Sequence, residues 1–313
     1  MNSEAIFPVY RRQTVIREQH IRSGKLLEVK FYPIFSDGSE LPRGPKRKES
    51  TKAQKDYNDR QAIKAFVRLI NANFDDTDLL AHLTYTVDRA PVSEAEARRD
   101  MTNYIRRIKT LRAALLRKVR EQLKKDPESR ELLERRKKLS DPFRYAYGIE
   151  VVEYKTGAKK GRKNYHFHLF MTGWGGRDRD EAEKLWTKGE RCNCDRFRPR
   201  AFGPEAAARY VAKSPAGTRR FSCSKNMNKP VVAPPKDGKV SPREVERMVK
   251  QRNDDRAYWE RRHRGYEFLG FDKPPEECYN AYNGYYYLTV KLYRKESPPV
   301  RAGTVGRKKK KRC

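Results

Sequence analysis

Residues 165–173, YHFHLFMTG, follow the β-prone stretch 144–154, RYAYGIEVVEY, and a Gly-containing segment separates the two. Both stretches are rich in aromatic and branched residues, so the sequence predicts a β-hairpin with a longer loop. On the second strand His166 and His168 point to one face, with the residues between and after them in the core. Two imidazoles that converge in this way are typical of metal ligands. The alternative is that two histidines simply alternate on a solvated strand face.

A second pattern is the Tyr210–Lys213 spacing within residues 203–214, GPEAAARYVAKS, which are helical in pattern. Residues three apart share a helix face, so the Tyr hydroxyl and the Lys ammonium would lie side by side. The ammonium favours the phenolate form and can also hold a phosphate oxygen. An ordinary surface pair on an amphipathic helix is the alternative. Taken together with a metal at the histidines, the pattern suits a tyrosine that attacks a phosphate in line, which nicks DNA and attaches to it.

Charge supports a polyanionic partner. The chain has 313 residues, 36% of them charged, and a formal net charge of +32. A surface this basic attracts nucleic acid, although a ribosomal-type or merely solubilising excess is the alternative. Because 36% of the residues are hydrophobic, wholesale disorder is not expected. No apolar run is long enough for a membrane span, no secretory signal is evident, and five scattered cysteines favour a reducing compartment.

The chain divides by composition into four regions. The first has two predicted strands and a basic loop. The second begins with a helix and contains a strand at 79–86 and a capping box formed by Ser93 and Glu96. The third contains a helical stretch and an aromatic, β-prone one. The fourth is a basic tail that is expected to be disordered. These predicted regions are 1–49, 50–230, 231–295 and 296–313.

In its order of motifs the sequence resembles the rolling-circle replication initiators of single-stranded DNA phages and plasmids, in the HUH endonuclease superfamily. The resemblance spans residues 50–230. The stretches that carry it, in family order, are RLINANF (68–74), LTYT (83–86), VVEY (151–154) with YHFHLF (165–170), LWTKG (185–189) with AAARYVAKS (206–214), and RRFSCSKNMNKP (219–230).

The resemblance implies an α+β fold in which an antiparallel sheet of about five strands is flanked by helices. It implies that His166 and His168 ligate Mg²⁺ or Mn²⁺. A carboxylate from the neighbouring strand completes such a set. Glu150 and Glu153 point to opposite faces of that strand, so only one of them can reach the ion, and the resemblance favours Glu153.

The resemblance also implies a reaction. Tyr210 is the nucleophile and Lys213 its partner, and the products are a 5′-phosphotyrosine link and a free 3′-hydroxyl. The substrate is single-stranded origin DNA of the protein's own replicon, in the cytoplasm of a host cell, expected to be bacterial. A host DNA polymerase and a helicase are the expected partners. The alternatives are a mobilisation relaxase, a transposase of the single-strand type, or a basic DNA-binding protein without catalysis.

The sequence departs from the family pattern in places. Ser214 stands where some members have a second tyrosine, so termination needs a second subunit, as in a homo-oligomer, or another nucleophile. The third histidine of relaxases is missing beside the pair. His82 lies next to LTYT and could approach the site, although it is interpreted as a strand histidine with its own partners. The sequence contains no Gly-rich phosphate loop, so no fused helicase is expected.

Three other patterns are weaker. Cys192, Cys194 and Cys223 lack the usual zinc spacing and are interpreted as buried or idle thiols. A run of tyrosines suits either a sheet core or the stacking of unpaired bases. The tail 307–312, RKKKKR, suits a non-specific DNA arm or a solvated end. The tyrosines of the run are Tyr279, Tyr282, Tyr285, Tyr286 and Tyr287.

Overall fold

The computed structural model describes residues 14–35, 52–153, 161, 163–189, 192–198 and 221–295. The chain forms two compact units, one of Pro45–Pro230 and one of Met1–Gly44 with Val231–Cys313. The strands and α-helices of the described residues are β1 (Val15–Ser23), β2 (Leu26–Ile34), α1 (Lys52–Asn71), β3 (Leu79–Thr84), α2 (Glu94–Lys125), α3 (Arg130–Ser140), β4 (Tyr145–Glu153), β5 (Lys163–Met171), α4 (Asp178–Leu185), β6 (Cys192–Arg196), β7 (Ser222–Cys223), β8 (Val231–Val232), β9 (Lys236–Asp237), α5 (Pro242–Gln251), α6 (Arg256–Arg262), β10 (Tyr266–Phe271), β11 (Tyr279–Asn280), β12 (Tyr285–Tyr286) and β13 (Leu288–Arg294).

The unit Pro45–Pro230, here called the histidine unit, is built on a five-stranded antiparallel sheet in the order β6-β3-β5-β4-β7. The predicted hairpin is confirmed as β4 and β5, which pair antiparallel, and β5 is the middle strand. The fold is therefore α+β with antiparallel sheets, as the sequence predicted. The middle position of β5 gives its residues neighbours on both sides.

Helices cover both faces of this sheet. On one face the apolar stripe of α2 packs against Phe167 and Leu169 of β5, which are fully buried as predicted. On the other face Phe66 and Ile70 of α1 pack against Phe170, also on β5. Phe66 and Phe170 meet edge to face with their ring centroids 6.0 Å apart. Because α1 covers the Phe170 end, the histidines lie beyond its apolar contact.

Helix α2 begins where the capping box predicts. The Ser93 hydroxyl accepts a hydrogen bond from the Glu96 backbone N–H, and the Glu96 carboxylate accepts one from the Val92 N–H. These bonds satisfy donors that a helix start leaves open. Further along, Arg112 is only 4% exposed and donates hydrogen bonds to backbone carbonyls, among them that of Asp141 at 2.8 Å. That contact ties α2 to the end of α3.

The other unit, here called the tyrosine unit, contains a second antiparallel sheet in the order β10-β13-β2-β1-β8, with β9 also paired to β1. The sequence prediction separated residues 1–49 from 231–295, whereas strands of both ranges share this sheet. Val29 on β2 pairs with Val290 on β13. No local pattern indicates a pairing between residues so far apart, because the register of each strand is set by its partner.

Helices α5 and α6 contribute to the core of the tyrosine unit, with Trp259 of α6 fully buried. The Ser241 hydroxyl caps α5 by accepting from the Glu244 N–H, and Pro242 occupies the first turn, which needs no donor there. In the part of the chain that the structure describes, none of the helices combines the length and apolar character needed to cross a bilayer.

Candidate metal and nucleophile site

Four polar side chains lie on one face of the sheet of the histidine unit, on the middle strand β5 and on its two neighbours. His166 lies opposite Glu150 of β4, and His168 lies opposite His82 of β3. Residues directly opposite one another on neighbouring strands share a face, and alternate residues of one strand do so too. We call this group, His82, Glu150, His166 and His168, the histidine cluster.

Two contacts hold the cluster together. The Nε2 atom of His168 lies 3.3 Å from an Oε atom of Glu150. The rings of His82 and His168 meet edge to face, with centroids 4.9 Å apart. His168 is 9% exposed, whereas the Glu150 side chain keeps 22% of its surface. The centre of the cluster is therefore buried and its edge is open.

The contact between Glu150 and His168 depends on a glycine. His168 lies opposite Gly148 on β4, and Glu150 is the next residue of β4 on the same face. Gly148 has no side chain, so the Glu150 carboxylate extends diagonally across the strands to the imidazole. The sequence GIE at 148–150 thus provides both the carboxylate and the space beside it.

Burial keeps two rings of the cluster uncharged. It lowers the pKa of His82 and of His166 below the ordinary value, and the neighbouring His168 lowers both further. Carboxylates act the other way, Asp195 on His82 and Glu150 on His166. A neutral imidazole has a free lone pair, which is the form that binds a metal ion.

The donor chemistry of the cluster fits a divalent cation. Imidazole and carboxylate are both accepted by Mn²⁺, and carboxylate suits Mg²⁺. Across the described residues no three His, Cys, Asp or Glu side chains are already arranged around one point as a closed metal site.

The structure changes the choice of carboxylate. Glu153 is the last residue of β4, is exposed, and pairs with Lys163 at the start of β5. It lies three residues from Glu150, so strand alternation turns it to the opposite face from His166 and His168. Glu150 replaces Glu153 as the candidate ligand.

The predicted nucleophile Tyr210 and its partner Lys213 lie outside the described residues. The LWTKG stretch, by contrast, lies at the end of β3, where its Trp186 packs among Phe167 and its neighbours on the other face of the sheet and donates from the indole N–H to the carbonyl of Thr84, 2.8 Å away. Thr84 pairs with His166. A Cβ added to Gly189 would collide with the same carbonyl, so only glycine fits there. This segment fixes the end of β3 beside the cluster.

The three cysteines considered for zinc lie on two different strands. Cys192 and Cys194 lie on β6 and Cys223 on β7, the two opposite edges of the sheet. Burial raises the pKa of the Cys194 thiol, which keeps it protonated.

His82 lies against the pair of histidines on β5. The sequence left open that it could approach the site, although it favoured a strand histidine with its own partners, and the structure brings its ring against that of His168. The signal that could have identified it is the alternation within LLAHLT at 79–84, which puts it on the face opposite the buried leucines. Comparison of the chain with protein-family models, with curated proteins and with solved structures gave no match.

Proposed function

We propose that this protein is a replication initiator that nicks single-stranded origin DNA and starts rolling-circle replication, with an HUH-type catalytic fold. The observation that carries the proposal is the histidine cluster, in which two histidines on the middle strand of a five-stranded antiparallel sheet share a face with Glu150. His166, His168 and Glu150 would hold Mg²⁺ or Mn²⁺, which when bound supplies polarisation of the scissile phosphate.

The proposed reaction exchanges one phosphodiester for another. The oxygen of Tyr210 attacks the phosphorus, a bond from tyrosine to phosphorus forms, and the bond from phosphorus to the 3′-oxygen breaks. The phenol proton is lost and the 3′-oxygen gains one. Lys213, three residues along the predicted helix, stabilises the phenolate. The reverse attack by a 3′-hydroxyl rejoins the strand.

The charge of the chain supports a DNA substrate. A net charge of +32 draws phosphates and favours release of their counterions. A host polymerase would extend the free 3′-hydroxyl while a helicase opens the duplex, and the reaction would take place in the cytoplasm of a bacterial host.

His82 supports a second candidate, a mobilisation relaxase, which uses a third histidine near the pair. Its ring lies 4.9 Å from that of His168, between centroids. The chemistry is shared between the two candidates, and the substrate differs. Oligonucleotides from a replication origin and from a transfer origin separate them, since only the cognate sequence is cleaved.

A cleavage assay tests the proposal. Purified protein is incubated with Mn²⁺ and single-stranded oligonucleotides that cover its replicon, and covalent adducts are separated on a denaturing gel. We expect a shifted band that disappears with chelator and in Tyr210→Phe, and that persists in Tyr57→Phe, an exposed tyrosine of α1. No adduct with the wild type over the whole replicon would favour a DNA-binding protein without catalysis.

A further inference from the structure

The tyrosine run forms an exposed hairpin rather than a sheet core. Strands β11 and β12 pair with each other, separately from the large sheet of the tyrosine unit. Tyr282 at the tip is 92% exposed, Tyr279 is 49% exposed and Tyr287 is 37% exposed. Tyr285 and Tyr286 are half-buried, and Tyr286 packs against the core of the unit, to which β13 contributes Leu288, Val290 and Leu292.

The hairpin backbone is held rigidly. The Tyr282 N–H donates to the Asn280 side chain at 3.0 Å, and the Gly284 N–H donates to the Asn280 carbonyl at 2.8 Å. Gly284 has a φ of 75°, which glycine adopts without strain. The Asn283 amide donates to the Tyr287 hydroxyl at 2.7 Å. The rings are thus presented on a fixed support.

Aromatic rings lie on both faces of the hairpin. On one face Tyr279 and Tyr286 pair across the strands with centroids 5.0 Å apart, and the Lys250 ammonium lies 5.9 Å from the centroid of the Tyr286 ring. Tyr285 precedes Tyr286 on β12 and therefore faces the other side, where it meets the half-exposed Phe35 edge to face at 5.6 Å. We call these rings and the lysine together the tyrosine platform; its members are Phe35, Lys250, Tyr279, Tyr282, Tyr285, Tyr286 and Tyr287.

We propose that the tyrosine platform binds single-stranded nucleic acid by stacking unpaired bases on its rings. Ring faces left in water lose the free energy that burial would give, so a fixed group of them suits a flat, partly apolar ligand. Nucleobases are such ligands, and every base has a face that can stack. The basic chain suits the phosphates that accompany them, and Lys250, which is paired with Glu246 at 2.7 Å, lies beside the rings.

The charges beside the hairpin favour bases over phosphates as the recognised groups. Glu276 and Glu277 lie in the turn that precedes β11, so this surface is not a strongly cationic patch. Removing a ring should therefore lower affinity without changing its dependence on salt, which reports the number of phosphates neutralised. In duplex DNA the base faces are already stacked on one another, so the affinity for duplex DNA should not change when a ring is removed.

The proposal does not require cleavage, so the test is made in chelator, where no nick is expected. Binding of a fluorescent oligo-dT to the full chain is measured by anisotropy over a series of salt concentrations. Replacing both Tyr279 and Tyr282 by Ala is expected to weaken binding at least about tenfold with an unchanged salt slope, because stacking on an aromatic ring is worth roughly tenfold per base. Replacing both by Phe keeps the ring faces and should restore affinity.

Leu269→Ala is the matched control, since Leu269 is a large apolar residue of the same unit, 45% exposed on β10. It should bind as the wild type does. Unchanged affinity in the Tyr279/Tyr282 Ala double variant would overturn the proposal. So would a loss of self-association in that variant, seen by light scattering, with single-strand affinity intact, since the platform would then be an interface between copies of the chain.

Discussion

Each of the two units brings two histidine rings edge to face, and the charges around the two pairs differ. In the histidine unit His82 and His168 are 4.9 Å apart between centroids, and in the tyrosine unit His20 and His263 are 5.6 Å apart. Each pair also has a glutamate beside it, Glu150 at 3.3 Å from His168. By residue type alone, both groups would qualify as metal sites.

The difference lies in a guanidinium. The glutamate of the second pair, Glu18, lies 2.6 Å from His20 and also 3.2 Å from the guanidinium of Arg262. That cation is paired with the Glu18 carboxylate, and after burial and His20 it is the next cause that lowers the pKa of His263. In the histidine unit the described charges that act on His82 and His166 come from carboxylates and from His168. Neighbouring charge, and not ligand type, distinguishes the candidate metal site from a structural ion pair.

The largest expected effect tests that distinction directly. His168→Ala removes the middle ligand of the histidine cluster, and loss of the charge stabilisation of a bound cation should slow adduct formation about a thousandfold. His20→Ala alters the other histidine pair and should leave the rate unchanged. The rate of adduct formation in Mn²⁺ is the measurement. Equal losses of rate in both variants would show that the two histidine pairs do not differ in this way.

The next effect concerns stability of the tyrosine unit in acid. Burial first, then His20, Arg262 and Lys236, lower the pKa of His263 to about 4, against the opposing pull of Glu18. A histidine with a lowered pKa contributes stability that is present above its ordinary value of 6.5 and lost as the pH falls toward 4. The free energy of unfolding should decrease by about 2–3 kcal/mol over that window, at 1.36 kcal/mol per pKa unit.

Calorimetry of the full chain at several pH values measures this loss. His263→Leu removes the titrating ring, whose Nε2 atom is buried without a hydrogen-bond partner among the described residues. In this variant the free energy of unfolding of the tyrosine unit should no longer show that part of its decrease as the pH falls. A variant with the same pH dependence as the wild type would show that His263 is not the group responsible.

Glu150 and Glu153 provide a matched pair within one strand. Glu150→Gln keeps the size of the side chain and removes the charge beside His168, so Mn²⁺ affinity should decrease about ten- to a hundredfold. Glu153→Gln makes the same change on the opposite face and should have little effect. Titration of Mn²⁺ followed by electron paramagnetic resonance measures both. A larger loss of Mn²⁺ affinity in Glu153→Gln than in Glu150→Gln would make Glu153 the ligand, as the resemblance implies.

Local pattern in the sequence predicted the parts of the fold that depend on neighbouring residues. The alternation in YHFHLF established that His166 and His168 share a face, and Ser93 with Glu96 located the start of α2. The choice between the carboxylates depended on whether Glu150 or Glu153 meets His166, which is the register of β4 against β5. That register is set by the turn and by the packing of both faces, so a single strand does not contain it.

Contacts between distant segments could not be predicted from the sequence, for the same reason. His82 meets His168 only because β3 lies beside β5 in the sheet. The tyrosine run has the composition of a core strand, yet Leu288, Val290 and Leu292 pair with β2 and fill the core, and the tyrosines before them remain in the hairpin. Composition does not distinguish a buried aromatic strand from an exposed one until its partner is known.

The smallest expected effect decides what His82 does. Its ring packs edge to face on His168, so we expect it to orient His168 rather than to bind the ion. An aromatic pair of this kind is worth about 0.5–1.5 kcal/mol, so His82→Ala should lower Mn²⁺ affinity about two- to tenfold. His82→Phe keeps a ring against His168 without its nitrogens and should restore most of that affinity. If His82→Phe and His82→Ala instead both lower Mn²⁺ affinity a hundredfold, His82 is a ligand and the cluster is a three-histidine site. The relaxase is then the better account of the chain.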